Sequence, residues 1–364
     1  MTPATRRTLT AVHRWIGLTL GLVVLLSAMT GAGMAFRKQL DPLLYPSNFK
    51  AVGCARGLPL DSLVERAIAA HPGRDVDYVR LRAGLPVIVR FTDKQSLFLD
   101  RCSGAVTGSQ NRYAGLFGWL EFIHRGQWLA QGGWLMGAGA LAVILGLAGM
   151  GLWLWWPQGK RRMRDALKLE RRLKGPAFLL GLHRTVGAWG ALLLLASAVT
   201  ALPNAFDSIK IAMVGNEAKP PKGQQLASVT APSLAAQWAT VQRLTPDPHD
   251  ALIHVARKSP TNPIEVFTIE RGAPHPNARS YIYLDSTSGA VLRFAPYAGT
   301  RPGSKAYFWM LSYHTGEAFG LIGQLAIFLA ALVALVLGYT GIDSWLSRKL
   351  RQRRARRDRA TAPA

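Results

Sequence analysis

The sequence predicts an internally duplicated membrane α-helical protein, with four transmembrane helices and two α+β modules outside the bilayer. Three observations carry that expectation. Four apolar segments are too long for ordinary core helices, roughly Val12 to Phe36, Trp134 to Trp156, His183 to Leu202 and Ala318 to Ile342. At a rise of about 1.5 Å per residue, some 20 apolar residues cross a hydrocarbon core of about 30 Å. The first and third segments also open alike, as HRWIGLTLGLVVLLSAMT from His13 and HRTVGAWGALLLLASAVT from His183. They match at His13/His183, Arg14/Arg184, Gly17/Gly187, Ser27/Ser197, Ala28/Ala198 and Thr30/Thr200. Between the spans, LFLDRCSGAV around Asp100 returns as YIYLDSTSGAV around Asp285.

Residues 1–36 form the amino terminus and first span. The segment is longer than a signal-peptide core and its His-Arg pattern recurs later, so it is expected to be retained. Residues 37–123 make the first outer module. Its amphipathic helix, Leu60 to Ala70, stops before Pro72, a strand runs from Val87 to Phe91, and Asp100 starts a turn into a further strand. The two cysteines, Cys54 and Cys102, both fall here, where an oxidising compartment favours a disulfide. Thr287 stands at the position of Cys102 in the second copy, so a structural staple is favoured over thiol chemistry.

Residues 124–156 form the second span, introduced by FGWLEFIHRG, and residues 157–182 a basic loop. The third span, 183–203, leads to the second outer module, 204–313, which repeats the plan of the first. It has a linker at Lys219 to Lys222, a helix from Ser233 to Leu244 stopped by Pro246 and Pro248, and a strand from Ile264 to Ile269. YFWMLSYHTG introduces the fourth span, 314–342, and places Trp309, His314 and Gly316 at the offsets of Trp119, His124 and Gly126. Gly151 and Trp155 near the end of span two are echoed by Gly341 and Trp345, before a basic tail at 343–364.

The net charge of +24 is concentrated in the middle loop, in the tail from Arg348 to Arg359 and at Arg6 and Arg7. Basic flanks mark the cytoplasmic side, which places both termini and the middle loop there and both modules outside. Membrane lipid is the expected partner of these runs; no aromatic stacking platform accompanies them, which argues against nucleic acid. Trp153, Trp155 and Trp156 read as an interfacial belt.

This orientation puts His13 and His183 at the cytoplasmic ends of spans one and three, and His124 and His314 at the outer ends of spans two and four. A single imidazole at a span end is ordinarily just interfacial, but recurrence at both faces outweighs that reading. Two same-depth pairs suit two six-coordinate haems, each held by a histidine on either side of the porphyrin. No Cys-x-x-Cys-His occurs, so the haems would be b-type. About ten residues separate His124 from Trp134, and Gly132-Gly133 is where that helix would bend to return the ring. Arg14 and Arg184 either pair with haem propionates or anchor to phospholipid.

His71, His249, His254 and His275 lack metal-ligand spacing and read as ordinary surface or loop histidines. No protease motif and no Gly-x-Gly-x-x-Gly occur, so no catalytic acid or base is nominated and no nicotinamide or flavin domain is expected.

The Asp-x-x-[Ser/Thr]-Gly-x-Val turn, the His-Arg span opening and the Trp-x4-His segment together resemble the PepSY-associated transmembrane family over nearly the whole chain. The resemblance implies two periplasmic PepSY-like modules and a multi-pass protein of the bacterial inner membrane. Iron-regulated members include FoxB-like ferrisiderophore reductases, which implies reduction of a periplasmic ferric siderophore, a hydroxamate among the candidates, with release of Fe(II). Electrons would come from a separate cytoplasmic reductase or a membrane quinol. Two other functions stay open: a PepSY-type binding or regulatory protein without redox activity, and a haem conduit to a partner protein.

Overall fold

A computed structural model describes residues 2–50, 53, 57–157, 162–215, 220–221, 232–255 and 262–360. Cys54, Lys219 and Lys222, and within the basic loop Lys160 and Arg161, lie outside the described residues. The chain divides into two compact units, each built from both halves of the sequence.

The helical unit comprises Met1–Ala35, Leu120–Asp207 and Tyr313–Ala364. Among the described residues three helices are long and apolar enough to cross a membrane: Gly132–Trp155, Gly175–Ala205 and Glu317–Asp358. A fourth span results if α1 (Pro3–Leu18) and α2 (Leu20–Met34), bent by 51° at Thr19, count as one. Thr19 hydrogen-bonds backward to the Trp15 carbonyl through both its backbone N–H (3.1 Å) and its hydroxyl (2.8 Å), closing α1. The second span is also irregular: α6 (Gly132–Leu141) and α7 (Met150–Trp155) flank a π-helical stretch, Ala142–Gly149. The other two, α9 (Gly175–Ala205) and α13 (Gly320–Ala360), run unbroken. Helices approach closely where side chains are missing, as membrane packing favours. A Cβ on Gly190 would stand 2.3 Å from Val333, and one on Gly338 2.3 Å from Leu25.

The sheet unit comprises Phe36–Trp119 and Ser208–Ser312. Its eight strands are β1 (Val76–Arg82), β2 (Val87–Phe91), β3 (Gln95–Leu99), β4 (Val106–Asn111), β5 (Asp250–His254), β6 (Ile264–Ile269), β7 (Arg279–Leu284) and β8 (Val291–Ala295). The order is β4-β3-β2-β1-β5-β6-β7-β8, with every neighbouring pair antiparallel. Each half therefore contributes four strands, and β1 pairs with β5 through Val79 opposite Ile253. The expectation of two modules is corrected here: the β1–β5 ladder joins them into one sheet over one core. Alternate residues of the central strands, among them Val79, Val89, Ile253, Val266 and Ile282, pack with α4 (Leu60–Ala70) and α11 (Leu234–Leu244). Asp61 on α4 accepts from the Leu234 and Ala235 N–H groups, 2.8 Å each, at the start of α11. A carboxylate there satisfies orphan donors and complements the helix dipole.

The duplicated turns have one design. Asp100 Oδ1 accepts from the N–H of Cys102 and the N–H and hydroxyl of Ser103; Asp285 Oδ1 does the same with Thr287 and Ser288. The Ser103 N–H bond is the main reason the Asp100 carboxyl titrates below the usual range. Cys102 is disulfide-bonded.

His275 sits in the loop between β6 and β7, one of the two places expected for it, yet it is buried. Its residue is 3% exposed, its ring packs 4.3 Å from Trp309, and its nitrogens meet Ser312 Oγ (2.8 Å) and Tyr297 Oη (2.9 Å). Both polar ends find partners, so the ring can be buried.

Candidate site at the paired histidines

Within the helical unit the four span-end histidines form two pairs. The ring centroids of His13 and His183 are 6.3 Å apart, and those of His124 and His314 are 6.2 Å apart. With metal–nitrogen bonds of about 2 Å, and roughly 1 Å more from each nitrogen to its ring centre, two imidazoles on opposite sides of one metal stand about 6 Å apart.

Each ring is aimed by its other nitrogen. His13 Nδ1 lies 3.0 Å from the Gly146 carbonyl in the π-helical stretch. His183 Nδ1 lies 2.9 Å from Thr340 Oγ1 on α13, and the Leu337 carbonyl also bonds the ring. His124 Nδ1 meets the Ser27 carbonyl (3.1 Å) and Thr30 Oγ1 (3.0 Å) on α2. His314 Nδ1 meets the Ser197 carbonyl (3.2 Å) and Thr200 Oγ1 (3.5 Å) on α9. Carbonyls only accept, so all four rings carry their proton on Nδ1 and leave the Nε2 lone pair free, the tautomer a metal ligand needs.

The fold reaches this through tight reversals. Helix α5 (Gly115–His124) ends at His124, and Gly126, at φ +67°, turns the chain so closely that Gly126 and Gly132 backbones touch. A Cβ on either glycine would lie within about 2.5 Å of the other's backbone. The chain thus breaks over 125–131, before the glycines where a bend was expected, and Gly132-Gly133 open α6 instead. Gly316, at φ +75°, makes the matching turn against Gly323 after α12 (Pro302–His314). Glycines also make room for the rings themselves: a Cβ on Gly31 would lie 3.3 Å from His124 Cε1, and one on Gly151 3.3 Å from His13 Cε1.

A cavity of about 370 Å³ opens at the His13–His183 pair, within the range of small-molecule and cofactor sites. Arg14 and Arg184 line it, as do Arg6 and Arg348, with Gly17 and Gly187 on its walls. An anion seated among these four guanidiniums would be bound by several charges at once. Trp155 lines the same cavity and is buried, its indole N–H donating to the Ala166 carbonyl at 3.1 Å; its assignment to the interfacial belt is corrected, while Trp153 and Trp156 stay exposed. Arg6 and Arg348 were hidden within basic runs that topology alone explains. Ser27, Thr30, Ser197 and Thr200 were visible as repeat matches, and only the ring contacts give them a role.

Along α9, His183 belongs to one pair while Ser197 and Thr200 hold the other, so the two levels are roughly 20–25 Å apart along that helix. Among the described residues no three His, Cys, Asp or Glu side chains gather as a metal site. Each pair by itself could offer a metal two nitrogen ligands.

The family profile described as PepSY-associated TM region matches residues 10–348. The chain belongs to the PepSY-associated transmembrane family. A search among curated proteins found no match. The profile spans both histidine pairs, all eight strands, Arg14, Arg184 and Arg348, while Arg6 precedes the matched residues.

Proposed function

We propose that this PepSY-associated membrane protein is a dihaem electron carrier of the inner membrane that reduces ferric siderophores on the periplasmic side. The reading assumes four spans, with both termini and the basic loop in the cytoplasm and the sheet unit in the periplasm, as the positive flanks favour. The observation that carries it is the pair of imidazole couples, 6.3 and 6.2 Å apart, with every Nδ1 already engaged.

His13 with His183, and His124 with His314, would hold the two haem irons. Arg14 and Arg184, with Arg6 and Arg348 beside them, would receive the propionates at the first site. A b-type haem held by two histidines would supply one-electron exchange rather than oxygen binding. The chain's own part is to fix the ring tautomers and hold the imidazole planes. No proton transfer is required, so no general acid or base is assigned. Reduction suits iron release because hard oxygen chelators match Fe(III) better than Fe(II). A separate cytoplasmic reductase or a membrane quinol would be the donor.

Absorption spectroscopy of the purified protein tests the reading. A Soret band that shifts on dithionite, with pyridine haemochrome giving two b-type haems per chain, is expected. A colourless protein overturns it and leaves a binding or regulatory role. Stopped-flow mixing of reduced protein with ferric hydroxamate then tests the substrate; no reoxidation above the buffer control excludes direct reduction and favours delivery to a partner protein.

A further inference from the structure

Three of the four rings are held by the same device. Thr30 donates its hydroxyl proton to the Leu26 carbonyl (2.7 Å), Thr200 to that of Ala196 (2.8 Å) and Thr340 to that of Val336 (2.7 Å), each four residues back on its own helix. All three threonines are buried. With its one proton spent on the preceding turn, each hydroxyl can only accept from the imidazole Nδ1–H. The carbonyl three residues back also bonds the ring: Ser27, Ser197 and Leu337 in turn.

The fourth ring breaks the pattern. By the Gly151/Gly341 match, the position equivalent to Thr340 is Met150, which has no hydroxyl. His13 Nδ1 instead bonds the carbonyl four residues before Met150, that of Gly146, inside the π-helical stretch. π-helical turns displace carbonyls from the ordinary i−4 ladder and recur at functional sites.

We infer that Thr30, Thr200 and Thr340 are positioning residues that set the tautomer and donor strength of their histidines, and that the π-helical Gly146 carbonyl replaces the missing fourth hydroxyl. The inference rests on the proposed haem ligation. An acceptor on Nδ1–H makes Nε2 a stronger donor and stabilises ferric over ferrous iron. Removing it raises the midpoint potential of that site alone.

Redox titration of the intact, haem-loaded protein tests this with Thr340→Val, Thr340→Ser and Met150→Thr. Thr340→Val keeps the Leu337 carbonyl, so the expected upward shift at the His13–His183 site is up to about tenfold in the oxidised-to-reduced ratio, 59 mV for one electron. Thr340→Ser returns the potential to the parent value. Met150→Thr lowers it by supplying the absent hydroxyl. The other site's potential stays constant in all three. If Thr340→Val loses its haem, the Ser and Met150 variants still decide the matter. Haem retained with all potentials unchanged overturns the positioning role and leaves ligation standing, whereas a parent protein without haem overturns the ligation itself.

Discussion

Gly151 and Gly341 occupy matching places behind the His13 and His183 rings, but with unequal clearance. A Cβ would approach His13 Cε1 to 3.3 Å and His183 Cε1 to 3.6 Å. The second is an ordinary contact and the first is tight. If the proposed haems are bound, Gly341→Ala should therefore leave the spectrum of the His13–His183 site unchanged, while Gly151→Val should push His13 aside and lower haem content to about half. Equal haem in both variants would mean that the glycines do not set the ring positions. His275 carries a second prediction at this scale. Its Nδ1 accepts from the Asn277 N–H at 3.3 Å, and burial lowers its pKa below the ordinary 6.5. The unfolded chain then binds a proton that the folded chain refuses. Stability is complete above pH 6.5 and declines as pH falls from there towards the lowered folded value. Thermal melts from pH 7 to 5 should show that slope, and His275→Gln should flatten it. The sequence displayed the span-end histidines and matched Thr30 to Thr200, because duplication writes such residues twice. His275 has no such partner, and the contacts that bury it come from Tyr297, Trp309 and Ser312, 22 or more residues away.

At the scale of elements, the strands at Val87 to Phe91 and Ile264 to Ile269 and both amphipathic helices were legible because period and stop signals are local. The 51° bend at Thr19 and the π-helical stretch were not. Apolar helices read alike whether straight, bent or widened, since hydropathy carries no backbone hydrogen-bond register. Nor could local pattern show that β1 would pair with β5, a match between segments about 170 residues apart. That pairing gives Asp61 a task that neither half reveals alone. Asp61→Ala removes the acceptor for two N–H groups at the start of α11 and should cost about 1–2 kcal/mol of stability. Chemical denaturation followed by tryptophan fluorescence checks this, with Trp238 packed against the same core. An unchanged midpoint would show that water replaces the carboxylate at no cost. In the helical unit, Gly190→Leu would drive a side chain into Val333, and overpacking of about 1–3 kcal/mol should lower the melting temperature.

At the scale of the whole molecule, the duplication is interlocked rather than serial. Each half holds its histidines by its own helices: His13 on Gly146 and His124 on Ser27 and Thr30 in the first, His183 on Thr340 and His314 on Ser197 and Thr200 in the second. Each pair, however, takes one ring from each half. Neither half would then complete a site alone, which is a physical reason for both copies to keep their rings. Double variants separate this arrangement from one in which each half binds its own haem. His13→Ala with His183→Ala removes both ligands of one site, so haem content should fall by half, no further than either single variant takes it. His13→Ala with His124→Ala, both in the first half, takes a ligand from each site and should leave the protein nearly colourless. Were pairing within halves, the second combination would retain half the haem and the first would lose all of it. The two arrangements therefore predict opposite outcomes from the same four residues, and pyridine haemochrome counts on the purified variants decide between them.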